Sequence, residues 1–299
     1  MKKKKEAYVK VQKRYAKRSQ FGEIFHRVRK NKGSLVGMII VCIVFLCFLY
    51  SLFFISYDMI TQSDIKDRLT PPNSQFLFGT DNLGRNLLYR VLYGSRYSLA
   101  IGFGGSIISA VLGITLGSIA GYYGGFREMI IMRFQEIMSS IPGILLGMVI
   151  ISTLGSSLQN LIITIGVTSI PAYIRMTRAS ILSIRGNEYV EAAHAIGLPN
   201  RRVIFGQLLP NGLSPLIVTF TMQLGGMILV ASGLSYLGFG ILPPLPEWGS
   251  LIAGSREYLR RSSYLLTFPG MFIMALVLAF NMLGDGLRDA LDPKLKGKR

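Results

Sequence analysis

Reactive side chains are scarce in this chain, with two cysteines, two histidines and one tryptophan in 299 residues. Cys42 and Cys47 fall inside one apolar run, five residues apart. On a helix they face different sides, and they read as small apolar space-fillers. His26 and His194 lie far apart with no cysteine or carboxylate at ligand spacing, which argues against a protein metal site. An intramembrane enzyme would need a nucleophile or metal constellation, and none is present. The centres of the apolar runs also lack Asp and Glu, where an ion-coupled secondary transporter would want a buried carboxylate. No Gly-x-x-x-x-Gly-Lys-Ser/Thr loop occurs, so the chain is not expected to hydrolyse ATP itself. Base-reading modules and interleaved aromatics are missing as well, so nucleic-acid binding is set aside.

What the chain has in abundance is apolar length. Half its residues are hydrophobic, yet its formal net charge is +18. The charges fall between the runs. Ser34 to Ser56 contains no charged side chain. At ~1.5 Å per residue it spans a hydrocarbon core of ~30 Å. Only a helix or a closed barrel satisfies the backbone in lipid, and this run lacks the alternation of a barrel strand. It is longer than a signal-peptide core, and no small-residue cleavage site closes it, so a retained anchor is expected. Further spans are expected at Tyr97–Tyr122, Glu136–Thr153, Ser157–Ile184, Gly212–Phe239 and Tyr264–Leu283, giving an all-α protein of six membrane helices. Gly113, Gly117 and Gly121 share one face of the second, as in a helix-packing seam. Pro142, Pro171 and Pro215 are expected to kink or end turns.

Charge orients the bundle. With both termini inside, the cytoplasmic side holds 25 Lys and Arg against 9 Asp and Glu, and the outside 8 against 6. The opposite orientation would put the basic N-terminal residues outside, against the positive-inside bias. The chain then divides into a basic tail (1–33), a first span (34–56), an outer loop (57–96), a five-helix core (97–284) and a cytoplasmic tail (285–299). A long cytoplasmic loop, 185–211, interrupts the core. In it Asn187 can cap a helix with Glu188 and Glu191 in its early turns. Gly197 stands where a left-handed C′ residue belongs, with Pro199 just beyond. Asn200 can cap a second helix running to about Leu209, stopped by Pro210. Alanines 192, 193 and 195 give the first helix a surface for close docking. Physics alone leaves two readings open, a docking element or an amphipathic connector lying on the membrane.

Glu191-Ala192-Ala193, then Gly197, then Leu209-Pro210 resembles the EAA loop of ABC importer permeases. Gln207 stands where peptide-importer relatives commonly have histidine. Phe78-Gly79-Thr80-Asp81-Asn82-Leu83-Gly84-Arg85-Asn86 and Tyr93-Gly94-Ser95-Arg96 resemble the entry to the second span of the C-type permease of dipeptide, oligopeptide and nickel importers. Met132-Arg133 with Glu136 is similar to a Met-Arg-x-x-Asp pattern, with Glu in place of Asp. Leu234 to Gly240, the Pro-rich Trp248 segment and Gly284 to Pro293 resemble further signatures of that family.

The resemblance implies the type I ABC importer permease fold in a bacterial cell membrane. It implies a heterodimer with a B-type permease, two ATPase subunits that hold ATP and Mg, and an extracytoplasmic binding protein that delivers short peptides. Nickel, a nickel chelate or another small solute is the alternative cargo; a secondary transporter or a channel is the alternative class. Glu191, Ala192, Ala193, Gly197, Gln207, Leu209 and Pro210 would couple the chain to the ATPase. Gln159, Asn160, Gln223 and Asn281 are candidates to line a path, with hydrogen bonding between helices the favoured reading for any one of them. Asp81, Arg85 and Trp248 either order the outer segments or face the delivering protein.

Overall fold

The computed structural model describes residues 20–291, and no β-strand occurs among them. The basic residues of 1–19, together with Asp292 and Pro293, fall outside that range. Helix α1 (Gln20–Lys30) leads into α2 (Lys32–Phe54), the first span. Asn31 caps α2, its Oδ1 accepting the N–H groups of Gly33 (3.0 Å) and Ser34 (3.3 Å). A short α3 (Tyr57–Thr61) follows, and then the longest helix, α4 (Leu87–Tyr123).

Helix α4 starts at Leu87, well before the expected Tyr97. Asn86 caps it by accepting from the N–H groups of Leu88 (3.0 Å) and Tyr89 (3.4 Å). Arg90 and Arg96 make this stretch look like loop in the sequence, but the fold gives both a place inside. Arg96 donates to Ser51 Oγ (3.0 Å), to the Ser51 carbonyl and to the Ile55 carbonyl (2.9 Å). These acceptors lie at the C-terminal end of α2, where a cation is favourable; the Ser51 carbonyl also takes the Ile55 N–H (3.1 Å).

The third expected span, Glu136–Thr153, is not one helix. It divides into α5 (Gly125–Ser140) and α6 (Gly143–Leu154), bent by 92°. Pro142 has no N–H to continue α5, and it forces Ile141 into an extended conformation (φ −97°, ψ 129°). Next comes α7 (Leu158–Ile184), which tolerates Pro171 in its interior, and later α11 (Leu213–Leu234). In α11, Pro215 lies in the first turn, where a missing N–H costs little. The last helix is α13 (Tyr264–Leu291), which runs past the expected Leu283.

By length and composition four helices can cross a membrane: α2, α4, Leu213–Phe239 and α13. The bent pair makes a fifth if it counts as one span. Helix α7 is long enough at 27 residues, but Arg175 and Arg178 lie in its second half. The expected six spans are therefore not reproduced by length and composition alone.

The glycine seam forms as the spacing predicts. A Cβ on Gly117 would lie 2.7 Å from the Ile174 carbonyl oxygen and 2.7 Å from Thr177 Cβ; one on Gly121 would lie 2.9 Å from Ile181 Cβ. Helices α4 and α7 thus meet backbone to backbone, which small residues allow in lipid. Gly117→Ala should cost about 1–3 kcal/mol by overpacking this contact. Gly143→Ala, with open space around its Cβ, should be neutral or gain up to ~1 kcal/mol. Thermal unfolding of the two variants in detergent checks the difference, and equal midpoints would refute the close approach.

The first and last long helices join at one end. Ser34 Oγ donates to the Met282 carbonyl (3.1 Å), and Asn31 Nδ2 donates to Asp289 Oδ2 (3.2 Å). Gly37 lets the Ala279 carbonyl approach, and Gly225 lets Val277 approach, so α2, α13 and α11 form one packed layer.

Candidate functional site

The loop after α7 begins with α8 (Glu188–Ala195). Asn187 has the extended backbone of a cap residue, though its side chain makes no capping bond. At the other end Gly197 takes φ +77°, as expected. Its N–H donates to the His194 carbonyl (2.9 Å), and the Leu198 N–H donates to the Ala193 carbonyl (3.1 Å). This pair of bonds is the Schellman closure, which selects glycine at C′. Leu198 then packs against a small core made of Ile181, Val190, Ala193, Val203 and Leu208. A side chain at Gly197 would have open space; the backbone alone demands glycine there.

The second half of the loop differs from expectation. Pro199 holds the cap position, and Asn200 is the first residue of α9 (Asn200–Arg202). Nor does Pro210 end the helical path. A π-helical turn, Val203–Leu208, feeds α10 (Leu209–Asn211), and after Gly212 the chain enters α11. Pro210 cannot donate to the carbonyl four residues back. The wider turn before it shifts the pairing, so that the Leu209 N–H bonds the Ile204 carbonyl. The loop is thereby continuous with α11.

Glu191 and Ala192 are exposed, but Ala193 is buried and faces the loop's own core. The expectation that both alanines form a docking face is corrected accordingly. The outward surface includes Glu191, Ala192, Ala195 and Ile196, the last 76% exposed. Gln207 and Leu209 are half-buried and Pro210 is exposed. The Gln207 carbonyl accepts from Asn211 Nδ2 at 2.7 Å.

Tyr122, at the end of α4, ties this loop to the bundle. Its hydroxyl donates to Asn200 Oδ1 (2.8 Å) and lies 3.3 Å from His194 Nε2, with the two rings stacked. Arg185 Nη1 donates to the Gly121 carbonyl alongside (3.0 Å). Sequence reading missed Tyr122, because nothing local links it to a loop some seventy residues on. Ile196 carried a readable signal, an apolar residue at an exposed helix end.

At the opposite end, Asp81 is buried and organises its own turn. Its Oδ1 accepts from the Leu83 N–H (2.9 Å) and the Arg85 N–H (3.0 Å), and its Oδ2 from Arg85 Nε (2.7 Å). Trp248 opens α12 (Trp248–Gly254) and is fully buried, its Nε1 donating to the Val91 carbonyl (2.9 Å). It fits only because Gly94 has no side chain: a Cβ there would lie 3.1 Å from Trp248 Cδ1. Neither Asp81 nor Trp248 presents a surface to another protein, which removes the expectation of such a contact for both. Glu247 caps α12 from a fully buried position, accepting from the N–H groups of Gly249 (2.8 Å) and Ser250 (2.9 Å). Burial pushes its carboxyl above the usual range, opposed by those N–H donors and by the Ser235 and Ser98 hydroxyls.

The four path candidates do not form one hydrogen-bonded group among the described residues. Gln159 is exposed in the first turn of α7. Asn160 Nδ2 donates to the carbonyls of Leu154 (2.7 Å) and Gly155 (3.0 Å), closing the α6–α7 turn. Gln223 and Asn281 are half-buried, within α11 and α13. Arg133 and Glu136 make an exposed local pair at 2.8 Å, which contributes little. The Arg178–Glu128 pair, 2.6 Å from Nε to Oε1, holds α5 against α7.

Residues 113–297 match the family described as "Binding-protein-dependent transport system inner membrane component". The chain belongs to that family. Residues 19–72 of the permease also match the "N-terminal TM domain of oligopeptide transport permease C". The permease is 42% identical to the dipeptide transport system permease protein DppC of Alkalihalophilus pseudofirmus, over 94% of this chain and 92% of that one. It is 40% identical to DppC of Haemophilus influenzae, over 94% and 97%. With the glutathione transport system permease protein GsiD of Pectobacterium atrosepticum it shares 37%, over 93% of each. Its fold is similar to a chain of the inward-facing MetNI methionine ABC transporter, with a TM-score of 0.57 at 20% identity, covering 69% of the permease and 98% of that chain. The permease therefore has the ABC importer permease fold and is a multi-pass inner-membrane transport subunit.

Proposed function

We propose that the permease translocates short peptides delivered by an extracytoplasmic binding protein, as one half of a heterodimer with a B-type permease. Two separate ATPase subunits, holding ATP and Mg, drive it; the permease has no ATPase site of its own. Both termini lie in the cytoplasm with loop 185–211. The peptide assignment is supported by relatives named for dipeptide transport at 40–42% identity over nearly the whole chain. The observation that carries the mechanism is the continuity of the loop. ATP supplies work only where the motor changes shape, so a rigid element must bring that displacement to the bundle. The outward face of Glu191, Ala192 and Ile196 sits on a helix closed by Gly197 and joined through the π turn to α11.

Reconstituted with its partners, the complex should take up a labelled dipeptide only with ATP, with stimulation by the binding protein. Competition by unlabelled dipeptide but not by nickel supports the peptide reading; competition by nickel alone overturns it. Glutathione belongs in the same assay, because GsiD relatives align over the same length.

Tyr122 supplies a finer test of the lever. Tyr122→Phe keeps the ring and removes one hydrogen bond to Asn200, worth about 0.5–1.5 kcal/mol. Peptide transported per ATP hydrolysed should fall roughly two- to tenfold, with little change in the melting midpoint. An unchanged ratio would remove Tyr122 from the coupling route.

A further inference from the structure

Two arginines and one aspartate meet in a cavity at the outer end of the bundle, away from the coupling loop. The cavity measures about 240 Å³. Asp81, Arg85 and Arg90 form one wall; Leu87, Leu245, Leu251 and Leu265 supply much of the rest. Leu83, Pro243 and Gly254 also line it and are exposed, so the mouth lies at the surface.

The charges in this wall do not balance. Asp81 is already engaged by two backbone N–H groups and by Arg85 Nε. Arg90 is only 4% exposed and donates through Nη1 to the Ile60 carbonyl (3.1 Å). Its Nε lies 3.4 Å from Asp81 Oδ2 and makes no hydrogen bond. Arg90 is thus a buried cation with an unsatisfied donor, beside a second cation and a single anion. Buried donors are normally paired, and an exception calls for an explanation. Glu247 does not supply the missing charge. It lies outside the lining, committed to the N–H groups of Gly249 and Ser250.

We propose that this cavity binds a small organic carboxylate carrying an apolar group. The carboxylate would meet the Arg85 and Arg90 guanidiniums, and the leucines would take the apolar part. Guanidinium is the side chain best matched to a carboxylate, and charge-assisted bonds of this kind are the strong ones. The volume is that of several waters, enough for a small organic molecule. On the peptide reading above, the natural occupant is the C-terminal residue of a short peptide; that naming rests on the reading, while the site does not.

The test uses the full chain in lipid nanodiscs, with equilibrium dialysis of radiolabelled N-acetyl-leucine and of N-acetyl-leucinamide, and empty nanodiscs as the blank. The acid should bind saturably and the amide at least about tenfold more weakly, since one charge-assisted interaction is at stake. Arg85→Gln should weaken the acid by a similar factor while emission from the single tryptophan, Trp248, stays that of a buried ring. If that variant misfolds, the acid-to-amide ratio on the unaltered chain decides. Equal binding of the two probes, no binding of either, or undiminished binding to a folded Arg85→Gln chain overturns the site. Failure of dipeptide uptake would overturn the peptide reading and leave this result standing.

Discussion

Gly197→Val should leave the permease inserted and assembled but cut peptide uptake per ATP at least about tenfold. The reason is backbone conformation. Gly197 sits at φ +77°, and its missing Cβ faces open space, so a larger side chain meets no steric barrier. An L-residue in the left-handed region costs roughly 1–2 kcal/mol, and a β-branched residue is a worse fit there than most. Relaxing that strain opens the Schellman bonds to His194 and Ala193. The turn that sets α8 against Val203 and Leu208 then loosens, and displacement of the loop is no longer passed to α11. Gly197→Asn is the control, because asparagine visits this region readily; it should keep most of the coupling. If Gly197→Val transports as efficiently as the unaltered chain, the lever is wrong.

The largest loss of stability should follow Trp248→Ala. A fully buried tryptophan replaced by alanine typically costs about 3–5 kcal/mol, from lost burial and the cavity left behind. Here the indole fills the space above Gly94, packs on Phe272 and donates its N–H to the Val91 carbonyl. Its removal leaves α12 held by the Glu247 cap, by Gly249 close against Ser232, and by Leu251 and Ile252 on the same core. Trp248→Phe keeps the apolar contact and loses the hydrogen bond, so it should cost much less. Unfolding followed by far-UV circular dichroism measures both. A midpoint for Trp248→Ala within a degree or two of the unaltered chain would show that the indole is not a structural wedge.

Features written in local spacing were legible in the sequence. Ser34 to Ser56 announced α2 by composition, and Gly113, Gly117 and Gly121 announced the seam by their period. Gly197 announced its turn because only one residue type suits that conformation cheaply. What escaped depends on distant partners. Arg96 looked like a loop residue because its acceptors, the carbonyls of Ser51 and Ile55, lie at the end of another helix. For Trp248 and Asp81 two roles stayed open, ordering the outer segments or facing another protein, because the glycine and backbone donors that accommodate them are invisible to composition. Ala193 shared a motif with Ala192, but on a helix adjacent residues point apart, and only packing told which one turned inward. Pro142 was expected to kink or end a turn, and it ends α5, with a 92° bend to α6.

The most direct measurement is site-specific crosslinking in the assembled complex, in a chain whose Cys42 and Cys47 have been replaced. Ala192→Cys, exposed on α8, should crosslink to an ATPase subunit and resist impermeant thiol reagents added from outside. Gly254→Cys, exposed at the end of α12, should label from outside and never crosslink to the ATPase. The reverse pattern, or an Ala192→Cys chain that transports normally and never reaches the ATPase, would contradict the proposed lever.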